Sequence, residues 1–409
     1  MFIPRSLAGN LSAALKDTPV VLLAGARQTG KSTLVQSGEL QQREYLTFDD
    51  VGLAAAAKAD PNGFISGLAT PVTLDEIQHV PEIFRAIKLA VDRDRRPGRF
   101  LLTGSANVML LPKLSESLAG RMEVLTLWPF SQGEIHGTRE TFIDNIFSNK
   151  PDRLTLKPLK RASLFELMLA GGYPPVLARQ SAARRRAWFG AYVTTILQRD
   201  IRDLSSIDDL SAVPRLLSVV ASRAGGLLNY ADLSRALALP QTTLKRYFAL
   251  LETAFLVQML PAWSMNLGQR SIRTPKIYLN DTGLLAHLLG LTPQWLEKDL
   301  NLSGSLCENF VMAELWKQST WSETQPNLFF WRTASGKEVD LVMEDRAGRI
   351  VGIEIKAAAT LAGYDVTGLR ALAEAVGKKW VRGVVLYTGV NVIPFAKDLH
   401  GMPLQTLWS

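Results

Sequence analysis

Between Val20 and about Trp128, short unbroken apolar runs alternate with stretches of helical period. The runs are VVLLAG (20–25), REYLTF (43–48), TPVTLDE (70–76), RFLLTGS (99–105) and EVLTLW (123–128). PEIFRAIKLAVDRD (81–94) is one of the helical stretches between them. Val- and Leu-rich strands without polar alternation are buried on both faces, so this region predicts a parallel sheet covered by helices on both sides. Residues 138–160 are polar, carry two prolines and read as a connector. From 161 to about 300 the period is mainly helical. From about 304 it changes again. A helix SLCENFVMAELWKQ (305–318) precedes strands near 328–331, 338–343 and 350–356, a helix near 365–376 and a strand VRGVVLY (381–387). The expected class is α/β in three parts: 1–137, a helical region 161–300 and a small α/β unit 301–409.

Composition narrows the class. Of 409 residues, 47% are hydrophobic and 21% charged, as in an ordinary globular protein. No apolar run has the length of a membrane span, and the N-terminus lacks a signal-peptide core. The single cysteine excludes an internal disulfide, and the four scattered histidines form no ligand cluster. A cytoplasmic protein without membrane partners is the expectation. The net charge of +8 is unevenly placed: residues 151–299 hold 19 Lys+Arg against 11 Asp+Glu, whereas 1–150 hold 16 of each. An anionic partner such as DNA or RNA is therefore sought in the middle region, where a solvated basic surface is the other reading.

GARQTGKST (25–33) matches G-x-x-x-x-G-K-[ST] at Gly25, Gly30, Lys31 and Ser32. Its glycines let backbone N–H groups curl around a phosphate, Lys31 reaches the outer phosphates and the Ser32 hydroxyl ligates Mg²⁺. Gln28, Thr29 and Thr33 complete the expected ATP contacts. VTLDEIQ (72–78) is an apolar strand ending in two acids. Asp75 is expected to support Mg²⁺ through its water shell, and Glu76 to orient and deprotonate the attacking water. Thr103 and Ser105 end a further strand as polar contacts for the γ-phosphate or the water. Arg121 opens the last strand. It suits a γ-phosphate in its own subunit or, in a homo-oligomer, a neighbour's; spacing alone equally fits a surface arginine.

GARQTGKST, LDEIQ (74–78), LTGS (102–105) and a SLAGR segment that leads to PFS at Ser131 together resemble the AAA-type ATPases of the archaeal-ATPase group. GGYP (171–174) and ILQRDI (196–201) resemble segments that follow that core. Ala26 stands where the family usually has proline. The resemblance implies binding and hydrolysis of ATP with Mg²⁺, without identifying the work that hydrolysis drives.

In the middle region, residues 229–263 read as helix, tight turn, helix and an extended apolar segment. That order resembles a winged helix-turn-helix with Thr242–Leu251 as the second helix. Lys245 and Arg246 then sit where nucleic-acid contacts are made, with Arg235 on the helix before. Arg184, Arg185 and Arg186, on an amphipathic helix over 182–204, are equally good candidates. A winged helix packed on the nucleotide domain as a sensor is the competing reading.

GKEVDLVMEDRAGRIVGIEIKAA (336–358) places Asp340 on one strand and Glu354 and Lys356 on the next. Alternation puts Gly352, Glu354 and Lys356 on one face, the glycine leaving room beside them. Antiparallel pairing through EDRAGR (344–349) brings Asp340 near Glu354. Paired carboxylates favour a divalent cation, with Lys356 stabilising developing charge and Glu308 a third carboxylate. The order of Glu308, Asp340, Glu354 and Lys356 resembles the PD-(D/E)XK nuclease superfamily, with Val339 in place of the usual proline. It also resembles a domain of unknown function that accompanies these ATPases. Two outcomes stay open: an ATPase that gates metal-dependent cleavage of nucleic acid, and an ATP-driven switch whose nuclease-like domain binds without cutting.

Overall fold

The N-terminal apolar runs become strands β1 (Val20–Ala24), β2 (Glu44–Thr47), β3 (Val72–Asp75), β4 (Phe100–Gly104) and β5 (Met122–Thr126). They form one parallel sheet in the order β2-β3-β4-β1-β5. The computed structural model describes residues 2–105, 118–148, 159–200, 211–270 and 274–409. These fall into two units, Met1–Phe130 with Ala249–Leu256, and Ser131–Phe248 with Val257–Ser409. Every residue of β1 and β4 is buried, as a sheet covered on both faces requires. The parallel register sets the carboxyl ends of β1, β3 and β4 along one edge, so that Gly25 N–H donates to the Gly104 carbonyl at 3.2 Å. The loops that follow those strands are thereby brought together.

Helix Tyr230–Leu237, a short turn and helix Gln241–Thr253, whose residues from Ala249 belong to the first unit, precede a two-stranded antiparallel ribbon of the second unit, β6 (Val257–Leu260) and β7 (Lys276–Leu279). The GGYP stretch has a packing role. Gly171 takes φ 71°, and a Cβ there would lie 2.3 Å from the Asp281 carboxylate. That buried carboxylate accepts from the backbone N–H groups of Gly172 at 2.7 Å and Leu284 at 3.0 Å, capping helix Thr282–Leu289. Tyr173 is buried among Trp188, Phe189 and Tyr192, and Asn280 donates to its hydroxyl.

The C-terminal sheet has the order β12-β13-β11-β10-β9-β8, from β8 (Asn327–Arg332), β9 (Glu338–Glu344), β10 (Ile350–Lys356), β11 (Trp380–Tyr387), β12 (Ile393–Ala396) and β13 (Leu399–Pro403). Helix Leu300–Ser319 precedes it, and helix Thr367–Val376 joins β10 to the parallel β11. The last two strands were not anticipated.

Three expectations are corrected. The connector 138–160 contains helix Phe142–Phe147, whose Phe142, Ile143, Ile146 and Phe147 are all buried; six residues are too few to show a helical period. Gly352 leaves no room for a ligand: a Cβ there would lie 2.8 Å from Leu369 and 3.1 Å from Leu372, so the glycine admits the overlying helix. The helix over 182–204 is regular over Ala182–Thr195 and becomes a π-turn over Ile196–Asp200. Its remaining residues, 201–204, lie outside the described residues.

Glu140 is buried, and its Oε1 accepts from the Gly133 N–H at 2.7 Å. Burial, reinforced by the charge of Glu314, raises its pKa from 4.5 to about 7. Its native form thus binds a proton that the unfolded chain releases near pH 4.5, and its contribution to stability is present below that pH and lost as pH rises through 7. Urea unfolding at pH 5 and pH 8 tests this. Glu140→Gln should flatten the loss of stability between them, by up to about 1.4 kcal/mol per pH unit removed.

Candidate nucleotide site and carboxylate cluster

The loop after β1 is shaped by backbone conformations that few side chains tolerate. Gly30 takes φ 95° and Gln28 φ 61°, and a Cβ on Gly25 would lie 2.3 Å from the Leu127 carbonyl oxygen. Helix Lys31–Val35 follows at once. The Thr29 hydroxyl donates to the Ala26 carbonyl at 2.9 Å, so it ties the loop to itself. Lys31 Nζ donates to the carbonyls of Gly25 at 2.9 Å and Ala26 at 3.0 Å. Gln28 and Thr33 are exposed.

Asp75 ends β3 and is buried. Its Oδ2 accepts from Ser32 Oγ at 3.1 Å and from the Tyr45 hydroxyl at 2.5 Å, and its Oδ1 accepts from Thr103 Oγ1. Burial and then Asp75 push the Tyr45 hydroxyl up to about 12, so it remains a donor. The neighbouring Glu76 occupies the left-handed region at φ 55°, a strained state for a residue that carries a Cβ. Gln78 donates to the Glu76 carboxylate and, at 2.9 Å, to Ser105 Oγ. The expected acids, Ser32, Thr103 and Ser105 therefore share one edge of the sheet. The donor set of Ser32 and Asp75 fits a Mg²⁺ carried by a nucleotide, since hydroxyl and carboxylate oxygens are what that cation accepts.

Arg121 does not join them. It precedes β5 at the opposite edge, about four strand residues or ~13 Å from the loop. Its Nε pairs with Asp92 at 2.5 Å. Action on a γ-phosphate within its own subunit is thus overturned by the parallel register.

Sequence reading missed Arg5. Its guanidinium donates to the Thr29 carbonyl at 2.8 Å and the Trp128 carbonyl at 2.6 Å, and lies 4.4 Å from the Phe130 ring centroid. It splints the phosphate loop from behind. A single arginine near the N-terminus carries no spacing signal that would reveal this. Tyr45 and Gln78 were missed likewise.

In the second unit, Lys245 and Arg246 are exposed on helix Gln241–Thr253. Arg235 is exposed and paired with Asp232. Arg184 and Arg186 are exposed and Arg185 is half-buried; Arg185 and Arg186 line a cavity of about 360 Å³ with Glu166, Phe189 and His287.

Strand pairing sets Asp340, Glu354 and Lys356 together, and Lys276 links Glu308 to Asp340. The β9–β10 register pairs Ile353 with Leu341, which sets Asp340 beside Glu354. Asp340 Oδ2 accepts from Ile355 N–H at 2.9 Å, and Lys356 Nζ contacts Glu354 Oε1 at 2.8 Å. Unforeseen are Lys276 and Tyr278 on β7, and Glu338. Lys276 Nζ stands 3.0 Å from Glu308, 2.6 Å from Glu338 and 3.6 Å from Asp340. Tyr278 donates to Glu308 Oε1 at 2.6 Å. Burial and then the Asp340 charge raise the pKa of Glu308, against Lys276 and Tyr278. Burial and Asp340 likewise raise Glu354, against Lys356. Burial alone would lower Lys276, but the carboxylates outweigh it and raise its pKa. Among the described residues no group of three or more carboxylate, imidazole or thiol ligands converges as a metal site. A cation already stands among these acids, so they do not fit a nuclease Mg²⁺ as they are arranged.

A parallel sheet with a phosphate loop, a buried strand-end aspartate and a following glutamate is the arrangement of a P-loop nucleotide-binding domain. Residues 17–136 match the family described as AAA domain, and residues 161–294 and 303–407 match two domains of unknown function, DUF8612 and DUF4143. The chain belongs to the same family as an uncharacterized protein of Mycobacterium tuberculosis, 35% identical over 98% of this chain and 84% of that one. An uncharacterized protein of Haemophilus influenzae is 24% identical over 73% of this chain and 75% of its own length. Among solved structures, the Thermotoga maritima RuvB Holliday junction branch migration motor is 20% identical, covering 64% of this chain and 91% of that one at a TM-score of 0.28. No helix among the described residues is long and apolar enough to cross a membrane.

Arg5→Ala should leave two carbonyls of the loop and its flank without their donor, a cost of about 2–4 kcal/mol. Thermal melting is expected to show that loss, and titration with ATP a weaker affinity.

Proposed function

We propose that this chain is an ATP-driven switch in which Mg²⁺-ATP hydrolysis at the AAA domain changes how the remaining regions engage a nucleic acid, and in which the C-terminal domain binds without cutting. The observation that carries the hydrolytic part is Asp75, whose two oxygens already hold Ser32 and Thr103 at the strand edge. Lys31 would leave the loop carbonyls for the outer phosphates, an exchange of one set of acceptors for a charged one. Ser32 and Asp75 would hold Mg²⁺, which supplies charge neutralisation on the phosphates. Glu76 would take the proton of the attacking water, with Gln78, which also bonds Ser105, fixing its carboxylate. Arg121, placed away from its own loop, is assigned to a neighbouring copy's γ-phosphate in a homo-oligomer.

The observation favouring binding over cutting is Lys276 among the C-terminal acids. The exposed Lys245 and Arg246, in the region that holds the basic excess, suit a phosphate backbone.

ATP turnover should fall by roughly 100-fold or more in both Lys31→Ala and Glu76→Gln. Undiminished turnover in both would refute the ATPase assignment. Incubation with single-stranded DNA, duplex DNA and RNA, with Mg²⁺ or Mn²⁺ and with or without ATP, should give no products. Cleavage that disappears in Asp340→Ala would replace the switch with a nuclease while leaving the ATPase standing.

A further inference from the structure

The C-terminal acids do not share their site with solvent alone. Glu308 comes from helix Leu300–Ser319, Glu338 and Asp340 from β9, and all three lie within ion-pair reach of one ammonium. The Lys276 side chain that carries it is only 5% exposed. Tyr278, on the same face of β7, donates to the Glu308 oxygen that Lys276 also contacts. Gly225 closes the other side: a Cβ there would lie 3.0 Å from Glu308 Oε2, and its N–H donates to the Ile277 carbonyl at 2.8 Å. The Phe330 ring centroid lies 5.7 Å from the ammonium. An ammonium has three donors and no acceptor, and three carboxylates are what this one meets.

We propose that Lys276 is the resident cation of the C-terminal cluster, standing in for the divalent metal that such carboxylates would otherwise attract. Its work is to clamp the β6–β7 ribbon to β9 and to helix Leu300–Ser319. This deepens the non-cutting reading and rests on it. Strand β7 supplies both the ammonium and the phenol, so a shift of the ribbon removes two of the donors of Glu308 together. The acids then face one another without their counter-ion, a state that burial makes unfavourable. The ribbon and the acid-bearing elements are therefore coupled by charge, whatever apolar contact they share.

The test uses the full-length, nucleotide-free chain titrated with Mn²⁺, followed by electron paramagnetic resonance of the free ion, with melting curves in Mn²⁺ and in EDTA. Wild type and Asp340→Asn should take up the same number of equivalents, and the wild-type melting temperature should not respond to Mn²⁺ through this cluster. Lys276→Met should melt roughly 5 °C or more lower. It should gain a Mn²⁺-dependent rise that Lys276→Met/Asp340→Asn lacks. An equivalent of Mn²⁺ held by wild type and lost in Asp340→Asn would overturn the proposal, as would a Lys276→Met chain that melts like wild type and ignores Mn²⁺. Should Lys276→Met fail to fold, the comparison of wild type with Asp340→Asn still decides. Metal uptake without cleavage overturns this inference alone, whereas cleavage overturns the non-cutting reading.

Discussion

A carboxylate removed from water must be given a cation or a set of donors, and both chemical centres of this chain are built around that demand. Asp75 meets it with three hydroxyls, from Tyr45, Ser32 and Thr103, contributed by a neighbouring strand, the helix after the phosphate loop and the adjoining strand. Those donors hold the carboxylate in place, and on the proposed reading a nucleotide arriving with its own cation would exchange for them. Glu308, Glu338 and Asp340 meet the same demand with a covalently attached ammonium, which cannot leave without moving a strand. On the proposed reading, one centre is arranged for exchange and the other for retention.

The supporting structure follows from these two arrangements. In the N-terminal unit the parallel register delivers the ends of β1, β3 and β4 to one edge, and glycines let the loop approach neighbouring backbone. Arg5 then fixes the loop through the Thr29 carbonyl. In the C-terminal domain, Gly352 draws helix Thr367–Val376 onto the sheet, leaving Glu354 with Lys356 as its hydrogen-bond partner. The same residue type serves ligand access in one place and helix packing in the other.

Much of this was legible in the sequence because it rests on local pattern. Continuous apolar runs gave the five strands to within about two residues, and strand alternation with a short polar hairpin set Asp340 beside Glu354. What was not legible depends on contacts remote along the chain. Lys276 opens an ordinary apolar run, and nothing nearby indicates that its partners lie 32 to 64 residues further on. Arg5 reaches 123 residues to the Trp128 carbonyl. Arg121 looked like a candidate because it precedes a strand, but only the direction of that strand reveals which edge it occupies. The short helix Phe142–Phe147 was hidden by its length and by polar flanks.

Anomalous diffraction from crystals grown with Mn²⁺ and a non-hydrolysable ATP analogue addresses both centres at once. The expected map has a manganese peak beside Ser32 and Asp75 and none among Glu308, Asp340 and Glu354, with Lys276 still between Glu308 and Glu338. A manganese peak bound by Asp340 and Glu354, with Lys276 displaced, would contradict the division of the chain into one exchangeable and one built-in cation.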